Sequence, residues 1–243
     1  MQEQCSHFCD TGGVDTSPTR RQQLRLNQTE TIKAVARRLL ADKGVASLSL
    51  REVAREMGVV SSALYRYFAT RDELLTALVF DAYSDLGATV EAADVTSEGL
   101  PPRVRWRRAC GAVRSWARAH PHEWALLYGT PLPGYVAPPR TIAAAARVTV
   151  VLGRILDEAH DAAPPRRRVT DAPDVATFLD VDALAAIVPH LGVPQYVGAL
   201  SGWTTIMGAV SFELFGHYVG SVTNGDAWFA ALSDHVADQL GID

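Results

Sequence analysis

Apolar residues recur along most of the chain with the spacing of amphipathic α-helices, most clearly over residues 49–68. There they stand three and four positions apart, first within 50–57 and then at Leu64 and Phe68, with Gly58 between the two runs. Side chains at that spacing share one face of a helix. Glycine ends helices because it adopts the left-handed backbone conformation without a steric cost. The pattern predicts two short helices joined at Gly58, a helix-turn-helix.

The second of these helices is predicted to begin near Val60 or Ser61 and to have a polar outer face. Its outward side chains are Ser61, Ser62, Tyr65 and Arg66, with Tyr67 at the edge. Small hydroxyl groups suit base edges in the major groove of DNA, and aromatic hydroxyls and cations suit phosphates. Ser49 is placed to cap the first helix, and Val59 is placed to pack into the core.

Helical periodicity continues beyond this motif, and no alternating run is long enough to indicate a sheet. The predicted fold class is therefore all-α. We predict a disordered tail over residues 1–20, a DNA-binding domain of three helices over 21–70, and a larger helical domain over 71–243. The first helix is predicted over about 26–43.

Basic charge is concentrated near the N-terminus. Eleven Lys and Arg stand against four Asp and Glu between Arg20 and Arg71, a net charge of +7 in a chain whose total is −4. A one-sided basic patch is expected of a DNA-binding surface, whereas a plain helical hairpin with buried tyrosines does not need one. The charge distribution favours DNA binding over that alternative.

These features resemble the tetracycline-repressor (TetR/AcrR) family of bacterial transcription regulators. The resemblance rests on LYRYF at 64–68, the helix over 26–43 ended by Gly44, SLR at 49–51 and TRDELL at 70–75. It implies a double-stranded DNA operator as partner for the first domain. It also implies that the second domain binds a ligand and forms a homodimer.

The resemblance implies DNA contacts for eight residues: Ser49, Arg51, Ser61, Ser62, Tyr65, Arg66, Tyr67 and Arg71. Tyr65 and Arg71 would hold phosphates. Ser61, Ser62 and Arg66 would lie in or beside the major groove, and Tyr67 suits either purpose. The family usually opens this helix with Ser or Thr, but here the residue is Val60, which cannot cap. Ser61 is an alternative cap, in which case it would lose its contact with a base.

The last two helices, predicted over about 194–220 and 226–240, carry broad apolar faces. In the family such helices pack against their copies as a four-helix bundle, and a twofold dimer matches a palindromic operator. The predicted dimer residues are Val210, Leu214, Trp228, Leu232 and Val236. Burial within one subunit would use the same apolar stripes and is the alternative.

The second domain also resembles a regulatory class whose C-terminal helix carries Trp-x-x-x-His-Gly. Here the segment over 203–208 has methionine in place of the histidine, so no role of that imidazole is carried over. Aromatic side chains in this domain indicate a cavity for a small, largely apolar effector, although each alone could be ordinary core. The predicted ligand-binding residues are Trp106, Trp116, Trp124, Tyr128, Trp203 and Met207.

Other functional classes have little support in the sequence. No segment suggests a membrane span or a secretory signal, and three cysteines indicate a cytoplasmic protein without a disulfide framework. Cys5, His7 and Cys9 could bind a soft metal but have no fourth ligand nearby, and His120 and His122 have no partner at a recognisable ligand spacing. No catalytic or phosphate-binding motif is present, so we predict no metal, no cofactor and no enzyme activity. The predicted function is a repressor that an effector releases from its operator. An activator or a ligand-independent architectural DNA-binding protein is the alternative.

Overall fold

The protein is described by a computed structural model, which covers residues 19–129, 131, 134–162, 177–189 and 191–243. The helices are α1 (Arg20–Lys43), α2 (Leu50–Glu56), α3 (Ser61–Leu64), α4 (Arg71–Val95), α5 (Pro102–Ala119), α6 (Pro121–Tyr128), α7 (Ile142–Ala162), α8 (Val181–Ile187), α9 (Val193–Leu214) and α10 (Gly225–Leu240), with 3-10 turns at Val45–Ser47 and Pro139–Thr141. The all-α prediction is confirmed. No helix in the described part is long and apolar enough to cross a membrane. Cys5, Cys9 and most of the predicted tail lie outside the described residues.

Side-chain caps set where the first helices begin. The Thr19 hydroxyl accepts a hydrogen bond from the Gln22 backbone N–H, and the Gln22 side chain accepts one from the Thr19 N–H at 2.7 Å. This capping box starts α1 six residues before its predicted start. The predicted cap at Ser49 is confirmed, because its hydroxyl accepts from the Glu52 N–H at 3.1 Å.

Buried apolar residues form two separate cores, and α4 contributes to both. Leu74 and Leu78 pack in the first core with α1, α2 and α3. Leu86 and Val90 pack in the second core with α5, α7, α9 and α10. The first turns of α4 therefore pack with α1, α2 and α3, while the rest of α4 packs in the larger domain.

The second domain also contacts the first core directly. Leu126 of α6 and Tyr135 of the following loop pack against that core. The Tyr135 hydroxyl lies 3.1 Å from the hydroxyl of Thr76, which is buried. On the opposite side, Asp81 of α4 binds Lys33 of α1 at 2.7 Å. Apolar packing and polar contacts thus both connect the two cores.

A buried ion-pair cluster joins α4, α5 and α7. Arg105 donates two hydrogen bonds to one carboxylate oxygen of Asp94, at 3.0 and 2.8 Å, and also contacts Glu158. Arg154 contacts the other carboxylate oxygen of Asp94. Only 1% of the Asp94 side chain is exposed, so its charge depends on these partners.

Three sequence expectations about local structure differ from the structure. Val59 does not pack into the core: 41% of it is exposed, because the chain turns at Gly58 and the core is completed by Met57 and Leu64 instead. Helix α8 was not predicted, because its seven residues are too few to show a clear period. Helix α9 ends at Leu214, six residues before its predicted end.

We expect Asp94→Asn to lower the free energy of unfolding by about 3–5 kcal/mol, because the buried guanidinium of Arg105 would lose its charged partner. Urea denaturation at a fixed protein concentration measures the change. Asp226→Asn is the matched control, since Asp226 also binds an arginine but its side chain is 79% exposed. A loss in the Asp94 variant no larger than in the control would contradict the predicted role of the cluster.

Candidate nucleic-acid interface and ligand cavity

The helix-turn-helix is held to the first core by a small number of side chains. Helix α2 ends before Gly58, whose φ of 67° reverses the chain direction. Helix α3 follows, and a turn extends it to Tyr67. Leu64 and Phe68 anchor this segment with 2% and 6% of their surface exposed. The predicted inward face of the recognition segment is therefore confirmed.

The outer face of residues 61–67 is free to meet a partner. Ser62, Tyr65 and Arg66 are exposed, and Ser61 and Tyr67 are half-buried. Within the described part of the chain, no hydrogen bond occupies the hydroxyls of Ser61, Ser62 or Tyr65. Val60 is the N-cap residue of α3 and makes no side-chain capping hydrogen bond. The predicted alternative, a cap from the Ser61 hydroxyl, is not seen in the described structure. Val60 itself is 71% exposed on this surface.

Helix α2 presents the two remaining predicted contacts of this motif differently. The Ser49 hydroxyl already accepts the capping hydrogen bond of α2, and Ser49 is half-buried. Arg51 is exposed, and no ion pair engages it among the described residues. Arg51 is thus the freer of the two to meet a phosphate.

Arg71 has a structural role that the sequence did not reveal. Its Nε donates to the Leu48 carbonyl at 2.7 Å, and its Nη2 donates to the Val45 carbonyl at 3.0 Å. These carbonyls belong to the turn between α1 and α2. The guanidinium therefore holds that turn against the start of α4. Any phosphate contact would be made by the part of Arg71 that stays exposed.

Some basic side chains of the first domain are neutralised by neighbours. The Arg55 guanidinium and the Lys43 ammonium hold the pKa of Glu52 at about 2. Lys43 Nζ lies 2.5 Å from the Glu52 carboxylate. Lys33 and Arg37 both bind Asp81. The positive charge available to DNA is therefore smaller than the formal count, and it is concentrated on the exposed arginines.

An apolar cavity of about 40 Å³ lies inside the second domain. Its walls come mainly from α7, α8 and α9, and its lining residues include Trp106, Leu152, Leu184, Val188, Tyr196 and Trp203. The volume leaves room for only a few water molecules, so a larger ligand needs the walls to separate. The aliphatic wall residues were not predicted; the apolar period of α7 is a sequence signal for Leu152 but not for Leu184 or Val188, which lie outside α7.

The cavity brings together two of the six predicted ligand-binding residues, Trp106 and Trp203. Trp116 instead donates to Asp85 at 2.7 Å and faces a separate polar cleft of about 610 Å³. The Trp124 indole donates to the Ser211 hydroxyl at 3.1 Å. Trp124, Tyr128 and Met207 pack in the core rather than against the cavity. None of these four residues is among those that line the cavity, and their contact with a ligand stays a prediction.

The predicted dimer residues also divide into two groups. Val210 and Val236 have no exposed surface, because they pack in the core of their own subunit. In this conformation they offer no surface to a second subunit, and their role as dimer contacts stays a prediction. Leu214 and Leu232 are half-buried, and Trp228 is 40% exposed. The alternative of burial within one subunit holds for the inner part of these stripes.

The described residues include no cluster of three or more potential metal ligands. Cys110 is fully buried, and burial raises the pKa of its thiol. The sulfur therefore packs as an apolar group and is not a reactive thiolate.

Comparison with known proteins gives matches over both domains. The family model "Bacterial regulatory proteins, tetR family" matches residues 32–78, and "Tetracyclin repressor-like, C-terminal domain" matches residues 106–236. The HTH-type transcriptional regulators Rv1816 of Mycobacterium tuberculosis and Mb1846 of Mycobacterium bovis are each 41% identical over 218 residues. That alignment covers 87% of this chain and 89% of each relative.

Solved structures share the fold. The regulatory protein SCO4313 is 30% identical with a TM-score of 0.73, over 90% of this chain and 98% of that chain. A protein from Rhodococcus sp. RHA1 is 28% identical with a TM-score of 0.64, over 88% of this chain and 95% of that chain. PfmR from Thermus thermophilus, at 17% identity and a TM-score of 0.58 over 84% of this chain and 96% of that chain, shares the fold alone.

The hydrogen bonds of Arg71 generate a prediction for two variants. Arg71→Ala and Arg71→Lys should each lower the free energy of unfolding by about 2 kcal/mol, because neither side chain can bridge the carbonyls of Val45 and Leu48. Thermal unfolding measures this effect. A lysine variant as stable as the wild type would contradict it.

The predicted phosphate role of Arg71 is measured separately, from the slope of log DNA affinity against log salt. Arg71→Ala should lower this slope by about 0.9, and Arg71→Lys should not.

Proposed function

Since this chain belongs to the TetR family of bacterial regulatory proteins and is a DNA-binding transcriptional regulator, we propose that it is a dimeric repressor. A small, largely apolar ligand releases it from a palindromic operator. The observation that carries the proposal is the outer face of residues 61–67, whose hydroxyls and cation stand free on a rigidly anchored segment. Rigid anchoring matters because base readout requires a fixed side-chain geometry.

The recognition surface supports separate roles for its residues. Ser61, Ser62 and Arg66 read base edges in the major groove. Tyr65 and Tyr67 hold phosphates at either side, together with the exposed Arg51. Val60 adds an apolar contact at the start of α3, of the kind that suits a thymine methyl group.

The exposed sides of α9 and α10 support dimerisation. Phe212, Phe215 and Trp228 are exposed by 51%, 44% and 40%, which is unusual for aromatic side chains grouped at one end of a domain. Gly208 lies within α9, at a position where an added Cβ atom would meet nothing within 4 Å in its own subunit. That space allows a second α9 to approach closely. Two subunits related by a twofold axis would present their recognition segments to successive major grooves, about 34 Å apart.

The cavity supports regulation by an apolar ligand. Trp203 lines it and also contacts Tyr128, whose ring centroid lies 6.3 Å away. Tyr128 in turn contacts Tyr83 of α4 at 6.2 Å. Ligand entry must displace the cavity walls, and this aromatic series carries the displacement to α4. The assignment to the Trp-x-x-x-His-Gly class rests on sequence alone, and Met207 in the histidine position is buried in the core.

A mobility shift with the DNA upstream of the protein's own gene tests the proposed function. In competitor DNA at physiological salt we expect one dimer per palindrome at nanomolar protein. Gly208→Arg should sediment as a monomer and lose the specific shift, since a charged side chain would enter the subunit interface. The control Ala143→Arg places the same side chain on an exposed site of α7. Weak binding that is indifferent to sequence would favour an architectural role instead.

Filling the cavity tests the ligand response. Thermal-shift screening with small apolar aromatic compounds identifies a ligand that also releases the operator. Ala199→Leu narrows the cavity and should abolish both effects while operator binding remains. The control Ala143→Leu should respond like the wild type. A ligand that still releases the operator from the Ala199 variant would show that the effector binds elsewhere.

A further inference from the structure

The first turns of α1 form a basic arm, defined here as residues 20–28, that has no place in either core. Every residue of the arm is exposed. It carries Arg20, Arg21 and Arg25 and no acidic residue, and no ion pair engages these arginines among the described residues. The arm also lies ahead of the segment that matches the family's DNA-binding model, which begins at residue 32.

The arm packs no face against its own protein, since even Leu24 and Leu26 are exposed by 61% and 53%. Most helical stability in proteins comes from packing an apolar face. Among the described residues the side chains of the arm make only a few hydrogen bonds instead: the capping box at Thr19, one side-chain hydrogen bond within the arm, and the contact of Arg25 with Arg66. Three unpaired arginines on such a helix also repel one another. A polyanion bound along the arm would neutralise the repulsion between the arginines and add contacts that stabilise the helix.

The position of the arm indicates which polyanion this is. Arg25 Nη2 lies 3.5 Å from the carbonyl oxygen of Arg66, at the end of the recognition segment. The middle of the arm therefore lies beside the predicted DNA-reading surface. DNA bound by residues 61–67 would come close to the arginines of the arm.

We propose that the basic arm binds the phosphates of the duplex that flanks each operator half-site, through Arg20, Arg21 and Arg25. This inference rests on the proposed operator binding and adds a second contact region to it. Guanidinium groups suit this role because they stay charged and bind phosphate oxygens in pairs. The arm contributes affinity and does not read sequence, since phosphates are alike at every base pair.

The test combines a protein variant with a shortened DNA. Arg20→Gln/Arg21→Gln/Arg25→Gln removes the charges and keeps helix-favouring, polar side chains. We expect it to weaken operator binding on the order of tenfold at physiological salt. The slope of log affinity against log salt should fall by about 0.9 for each phosphate that the variant no longer binds. The wild type should lose affinity when one helical turn of flanking duplex, about ten base pairs, is removed, and the triple variant should not.

Two controls separate charge from fold. The triple lysine variant at the same positions keeps the charge and should keep most of the affinity, and Arg140→Gln removes an exposed arginine of the larger domain and should change nothing. Unchanged operator affinity, salt slope and flank dependence in the glutamine variant would overturn the proposal. On non-operator duplex the slope should also fall in that variant. If the wild type shows no operator specificity, the proposed function is overturned. The change of salt slope on non-operator duplex would still decide whether the arm binds phosphates.

Discussion

The shared helix α4 is the constraint on which the arrangement of this protein depends. Its 25 residues span about 37 Å without a break, and its two halves are buried in different cores. A straight helix packed at both ends cannot move at one end alone. The position of the helix-turn-helix is therefore tied to the packing of the larger domain, and Asp94 fixes the far end of α4 against α5 and α7.

The contacts around the middle of α4 determine how a change in the cavity could reach the DNA-binding surface. On one side the Tyr135 loop packs against the first core beside Thr76. On the other side Asp81 binds Lys33 and Arg37 of α1. A rotation of α4 would have to break the ion pairs or shift the loop. These contacts thus hold the first domain in a defined orientation against α4.

Local signals made much of the fold predictable from sequence. Apolar spacing, the turn at Gly58 and the cap at Ser49 act within a few residues, so the local sequence contains the information. Local sequence does not show which surface an apolar side chain packs against. Val210 and Val236 carry the same pattern whether they face their own core or a second subunit, and only the tertiary structure distinguishes these cases. The structural role of Arg71 also could not be predicted from local sequence, because the backbone carbonyls that it binds belong to residues 23 and 26 positions away.

The pairing of charges changes how the basic first domain is understood. Its formal net charge is positive, but Glu52 and Asp81 each hold two of its cations. Those cations stabilise the domain and its junction with α4, and they offer little to a phosphate. Apart from Arg38, the arginines of the described first domain without an ion pair lie on the recognition segment, on α2 and along the start of α1. Because counterion release depends on free cations at the DNA surface, the proposed DNA contacts and their salt dependence follow from this placement and not from the total charge.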